Sequence, residues 1–315
     1  MKYLSLILAL ITTPAIAAPN AETMANYRAI AALDARVATV GYRLATANAP
    51  FCSHKLGYNP GWVIHDIAQY PDSVSALNAF AFAQPVEVAF VVKGGEADRQ
   101  GFKANDGLVR IANRDLKSFA QNKQPSAQRI VTVRAFLDEQ WGPNYVVPFK
   151  VDRGTERREL LVQLNPVCAS YFWVDANRKI DAGADGTQVR ISSALVEYTL
   201  DDNELAAIAA HELAHNLLGH PIGLATTRKS KSISATELEA DRLSVWLLTN
   251  ARYDPRAAMR FWQRCGPKSC MGLFRYPGWK KRVEAIKAEI AVVEKTPAQN
   301  GLRAPPLLSA IRNTQ

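Results

Sequence analysis

Apolar residues recur at three- and four-residue steps between positions 22 and 47. Met24, Tyr27, Ile30, Leu33, Val37, Val40 and Leu44 form one stripe, which predicts a long amphipathic helix. Residues 57–71, rich in Gly, Pro and aromatics, read as loop, and Ser73 to Phe82 reads as a short amphipathic segment. From Val86 the pattern changes to strands. Val86, Val88 and Phe90 alternate, a helical piece spans Ala97 to Gly101, and Leu108 opens another strand. Further strands are predicted at Val131–Phe136, Val146–Val151 and Leu160–Leu164. Beyond residue 169 helices dominate. A half-buried strand is expected over Val189–Leu195. Asp201 and Asp202 then supply a cap and negative charge for a helix from Asn203 to Leu218, which Gly219 ends. After a polar loop at Thr226–Ser234, helices follow at Thr236–Thr249, from Asp254-Pro255 through Trp262, and at Trp279–Val293. The Pro-containing end, 294–315, reads as a flexible tail.

This layout fits more than one domain in 315 residues. The chain begins with Lys2, a short apolar run and Pro14-Ala15-Ile16-Ala17, the pattern of a signal peptide covering 1–17. The apolar run is too short to span a bilayer. Export to the periplasm or medium is therefore expected, with no transmembrane span after signal removal. The formal charge of +9 comes from scattered basic residues, without a nucleic-acid motif. It leaves room for peripheral contact with an anionic membrane surface. Four cysteines in an exported chain predict two disulfides. Cys265 and Cys270 enclose a turn-forming Gly-Pro-Lys-Ser and pair locally, which leaves Cys52 for Cys168.

Chemistry concentrates at His211-Glu212-Leu213-Ala214-His215. Imidazoles four residues apart share a helix face and can hold one metal ion. Zinc suits such ligands and, in catalytic sites, keeps a position for water, which Glu212 can deprotonate. Glu237 and Asp241, also four apart, can act together. One carboxylate would bind zinc and the other would accept from a ligand imidazole. Glu239 is expected to point elsewhere. His220 reads as a helix-end residue, and His54 and His65 as non-catalytic.

Two resemblances refine this picture. The stretch Val91-Val92-Lys93-Gly94-Gly95-Glu96-Ala97 through Gly101-Phe102 to Asn105-Asp106-Gly107 resembles the core of a bacterial PDZ domain, covering about 84–166. Glu96 stands where Pro is usual, and Asn105 where Gly is. PDZ domains capture peptides at a sheet edge; the alternative is a β unit that only positions its neighbour. Asn203-Glu204-Leu205-Ala206, His211 to His215, and Glu237 with Ala240-Asp241 resemble the gluzincin metallopeptidases of the CAAX prenyl protease, HtpX and OMA type. That resemblance implies an α+β chain. A mainly helical zincin-type domain at 167–293 would follow a small β-rich PDZ-like insertion, and an N-terminal segment, 18–83, would pack on the catalytic part. It makes Glu237 the third ligand of one zinc ion per chain, and Asp241 the partner of His211. The family usually has a His followed six residues later by Arg. Here Tyr276 replaces the His and Arg282 is retained, so Tyr276 is a candidate oxyanion donor or a packing residue, with Arg282 beside it. The implied activity is a zinc-dependent endopeptidase acting on envelope proteins, as in protein quality control. The alternative is a chaperone-like or peptide-binding protein with a little-used zinc site.

Overall fold

The computed structural model describes residues 18–52, 55–119, 125–140, 146–163, 165–220, 230–268 and 277–312. The expected signal peptide lies outside them. Helix α1, Ala21–Asn48, starts at Asn20, whose side chain accepts from Thr23 N at 2.9 Å. Val37, Val40 and Leu44 of its stripe are fully buried. Strands and short helices follow: β1 Leu56–Tyr58, β2 Trp62–Asp66, α2 Ser73–Phe80, β3 Val86–Val91, α3 Glu96–Arg99, β4 Gly107–Ile111 and β5 Arg114–Asp115. Then come α4 Gln128–Gln140, β6 Val146–Arg153, β7 Glu156–Gln163 and β8 Pro166–Cys168.

The larger sheet runs β2-β3-β4-β6-β7, with β5 on β4, and every pairing is antiparallel. Its core includes Val88, Leu108, Val151 and three rings in edge contact, Trp62, Phe102 and Phe149, with centroids 5.1–5.5 Å apart. Two expectations are corrected here. The stretch Trp62–Asp66, read as loop, is an edge strand, so this sheet unit starts before residue 84. Val131–Phe136, read as strand, lies within α4: Ile130, Val133 and Leu137 share one helix face and bury 97% or more of their surface against the sheet.

The second half contains β9 Tyr171–Asp175, β10 Ala182–Ala184, β11 Gln188–Ser192, α5 Ser193–Tyr198, α6 Asp202–Leu218, α7 Ser230–Asn250, α8 Arg256–Cys265, α9 Trp279–Lys295 and α10 Pro306–Arg312. A small sheet has the order β10-β11-β9. The expected strand Val189–Leu195 turns helical at Ser193, where Ser192 caps α5 through Leu195 N. The expected loose tail is also corrected: α10 docks, with Leu308 fully buried, and Arg303 N donates to Asn250 Oδ1 at 2.8 Å.

The two halves are tied where the disulfide Cys52–Cys168, Cα atoms 5.3 Å apart, stands beside the β1–β8 pairing, where Leu56 faces Cys168. The chain thus leaves and re-enters the helical half side by side, and α1 also packs on α2 and bonds through Arg28 Nε to Ala79 O at 3.1 Å. Helix α1 lies against β9, α6 and α7. At Gly41 the approach is so close that a Cβ would sit 2.2 Å from the Phe172 ring. Cys265 is also disulfide-bonded; its expected partner Cys270 lies outside the described residues.

Candidate metal centre

Helix α6 is built for burial. Asp201 Oδ1 accepts from Glu204 N at 2.8 Å, and Gly219, at φ +64°, terminates the helix in the left-handed region. Between them almost every residue is buried, as expected of a helix apolar on all sides. Ala206, Ala207, Ala209, Ala210 and Ala214 keep its surface slim, which lets α7 pack closely alongside.

Four-residue spacing then decides what meets. His211 and His215 come from α6, Glu237 and Asp241 from α7. His211 Nε2 lies 3.1 Å from His215 Nε2 and 3.2 Å from Glu237 Oε2; His215 Nε2 lies 3.5 Å from Glu237 Oε1. Among the described residues this is the single group of His, Cys, Asp and Glu whose donor atoms, within 4.8 Å of one another, could hold a metal ion. The set fits zinc. Tetrahedral bonds of ~2.0–2.1 Å put neighbouring ligand atoms roughly 3.3 Å apart. With each Nδ1 protonated, the two Nε2 lone pairs face one another, an arrangement a cation relieves. Glu237 Oε2 and Glu212 Oε1 are also buried without a hydrogen-bond partner among the described residues.

Behind the ligands stands a second layer. Asp241 Oδ1 lies 3.1 Å from His211 Nδ1. Arg282, from the first turn of α9, donates through Nε and Nη2 to the two Asp241 oxygens at 2.7 and 2.6 Å. Its guanidinium carbon sits 3.9 Å above the Trp262 ring centroid. Arg282 is fully buried, and beyond Asp241 its Nη1 lies 3.4 Å from Glu237 Oε2. Burial acts to raise the Asp241 carboxyl, but Arg282 and His211 outweigh it and hold it at about 2. Helix α9 is anchored by Glu289, which accepts from Trp246 Nε1 at 2.6 Å and Arg242 Nε at 2.7 Å on α7.

Glu212 faces a different environment. Burial is the main force raising its carboxyl to about 7, and Glu237 adds to it. Such a value suits a group that takes and returns protons near neutrality. Burial is the main force lowering His215, to about 3, which favours the neutral imidazole a metal ligand requires. A small apolar pocket opens beside His211 and Glu212, walled by Ile208, Ala258, Phe261 and Trp262.

Tyr276 and His54 lie outside the described residues. His65 lies in the sheet unit, packed among Tyr70, Phe80 and Phe82. Sequence reading missed the Trp262 support of Arg282 and the contact of Glu239 with His220. Neither carries a local motif, since both join residues from different elements.

Three donor groups that could hold a metal ion, a neighbouring carboxylate and a held imidazole thus stand together. In keeping with that, residues 169–235 match the sequence model of Peptidase family M48. Among solved structures, HtrA-type protease AlgW with decapeptide is similar at 17% identity, over 35% of this chain and 30% of that chain, with a TM-score of 0.26. The matched part is thus under a third of that protein's length. No curated protein matches the chain.

Proposed function

We propose that the chain is a zinc-dependent endopeptidase, with one zinc ion held by His211, His215 and Glu237. The observation that carries this reading is the convergence of those three donor groups beside the buried, unpartnered Glu212 Oε1. A zinc ion bound there supplies Lewis acidity, drawing electrons from a scissile carbonyl and acidifying water. Glu212 takes the proton from the attacking water and passes it to the leaving amine. Asp241, held by Arg282, keeps His211 in the Nδ1–H tautomer. We read Arg282 as this holding residue rather than an oxyanion donor; that role stays with Tyr276 as a candidate.

The strand best placed to receive an extended substrate is β10. Strand β11 has neighbours on both sides, whereas β10 is an edge that packs against α6. The disulfide supports an oxidising compartment and so envelope or secreted substrates. No helix among the described residues is long and apolar enough to cross a membrane.

A second reading, peptide capture by a PDZ-like sheet unit, draws support from the free edge of β2. It borders a narrow cleft lined by Gly61, Ile64, Arg134 and Leu137, with Asp34 and Tyr42 of α1 as the far wall. One experiment separates the readings: casein cleavage by the parent, with and without a chelator, beside Glu212→Gln. Peptidase action predicts chelator-sensitive cleavage that Glu212→Gln lowers ~10³-fold or more while keeping its zinc. Cleavage at the parental rate by Glu212→Gln would remove Glu212 as the base. Binding without any cleavage by the parent would favour capture.

A further inference from the structure

We infer that His220 and Glu239 are positioning residues for His215, fixing which of its nitrogens points at the metal; this rests on the metal-site reading above. After Gly219 the chain folds back on α6. His220 N donates to His215 O at 3.0 Å, which lays the His220 ring against that of His215, with centroids 5.0 Å apart at 69°. The two Nδ1 atoms are 3.0 Å apart, and His220 Nε2 lies 3.0 Å from Glu239 Oε2.

For neutral imidazoles, one assignment of protons satisfies all of these contacts. A carboxylate only accepts, so His220 Nε2 carries the hydrogen. A neutral ring has one N–H, so His220 Nδ1 is an acceptor. The hydrogen between the rings therefore belongs to His215 Nδ1, and the lone pair of His215 is on Nε2. That atom faces His211 Nε2 and Glu237. The orientation of a ligand is thus set from Glu239, at the surface, through a side chain that is nearly buried: Glu239 keeps 49% of its side chain exposed, His220 only 9%.

The two metal-binding imidazoles are held by different means. His211 meets its carboxylate, Asp241, directly, at 3.1 Å. On its Nδ1 side His215 reaches a carboxylate, Glu239, through a second imidazole. His220 offers its Nδ1 to the side of His215 away from the donor group, so it acts on the ligand rather than as one. Partners of this kind commonly contribute ~10–100-fold to metal affinity.

The test is a zinc titration of the full-length chain in competition with a chromophoric chelator. His220→Phe, which keeps a ring but no acceptor, should bind zinc ~10–100-fold more weakly than the parent. His220→Asn, whose Oδ1 can accept from His215 Nδ1, should recover part of that loss. Glu239→Ala, at an exposed position that spares the fold, should weaken binding by a smaller factor. In the zinc-loaded parent, ¹⁵N NMR should show His220 protonated at Nε2 and bare at Nδ1. If His220→Phe binds zinc as tightly as the parent, or His220→Asn no better than His220→Phe, the proposal is overturned. A parent that takes up no zinc overturns the metal-site reading itself, and this proposal with it.

Discussion

Each half of the molecule buries an arginine–aspartate pair, and the two pairs have nearly the same geometry. In the sheet unit Arg129 donates to Asp66 at 2.6 and 2.9 Å; in the helical half Arg282 donates to Asp241 at 2.7 and 2.6 Å. What differs is the company. Asp66 turns its remaining capacity to backbone, accepting from Ala68 N at 2.9 Å and capping the turn at 67–69. Asp241 turns it to the His211 imidazole. A buried ion pair is weak evidence of function by itself, because desolvation offsets much of its attraction. The third group it touches decides whether it braces a loop or aims a ligand.

The largest effect should come from breaking that parallel at Arg282. Arg282→Leu and Arg129→Leu each take the cation from a buried carboxylate, and each should cost about 3–5 kcal/mol in denaturant unfolding. Only Arg282→Leu should also weaken zinc binding, by ~10–100-fold in chelator competition. Equal zinc affinity in the two variants would erase the distinction. The junction between the halves comes next. Cys52 and Cys168 are 116 residues apart, and closing such a loop stabilises by roughly 4–5 kcal/mol in the chain-entropy model. Cys52→Ser with Cys168→Ser should lower stability by an amount of that order. A loss under about 1 kcal/mol would mean that the β1–β8 pairing and the seat of α1 already hold the halves together.

The smallest effect is the pH dependence that His65 gives the sheet unit. Burial lowers His65 to about 4, so the fold keeps it neutral while the unfolded chain protonates it near 6.5. Stability from this residue is complete above pH 6.5 and is lost as pH falls toward 4, by roughly 3 kcal/mol in all. Burial raises Asp34 to about 6, which gives the opposite trend, stability gained as pH falls below 6. The informative measurement is therefore the difference between the parent and His65→Phe across that window. Parallel curves would show that His65 contributes nothing to the acid response.

The group of candidate metal donors was legible because its logic is local. A four-residue step on α6 and another on α7 bring the donor groups together, and Asp201 and Gly219 marked the helix ends in advance. Where reading failed, distant packing had overruled local preference. Ile130-Val131-Thr132-Val133 is a β-branched run that favours a strand in isolation, yet the sheet offers a seat for one helical face and α4 forms. Gly57, Pro60 and Gly61 suggested loop, but the pairing of Trp62 with Val91 makes a strand that no nearby residue announces. The seat of Arg282 against Trp262 and the link of His220 to Glu239 depend on how helices lie in space, which spacing along the chain does not encode.

The position of α1 has a consequence in time rather than in space. Its partners come late: Arg36 pairs with Asp202, 166 residues on, and the Asn48 amide donates to Leu247 O, 199 residues on. The sheet unit, by contrast, holds all its strands within one continuous stretch. As the chain emerges from its N-terminus at ~5–20 residues per second, α1 waits on the order of ten to thirty seconds for α6. During that interval its stripe of Val37, Val40 and Leu44 has nothing of its own core to lie against. The sheet unit can fold while the helical half is still incomplete, and α1 is among the last elements to be seated.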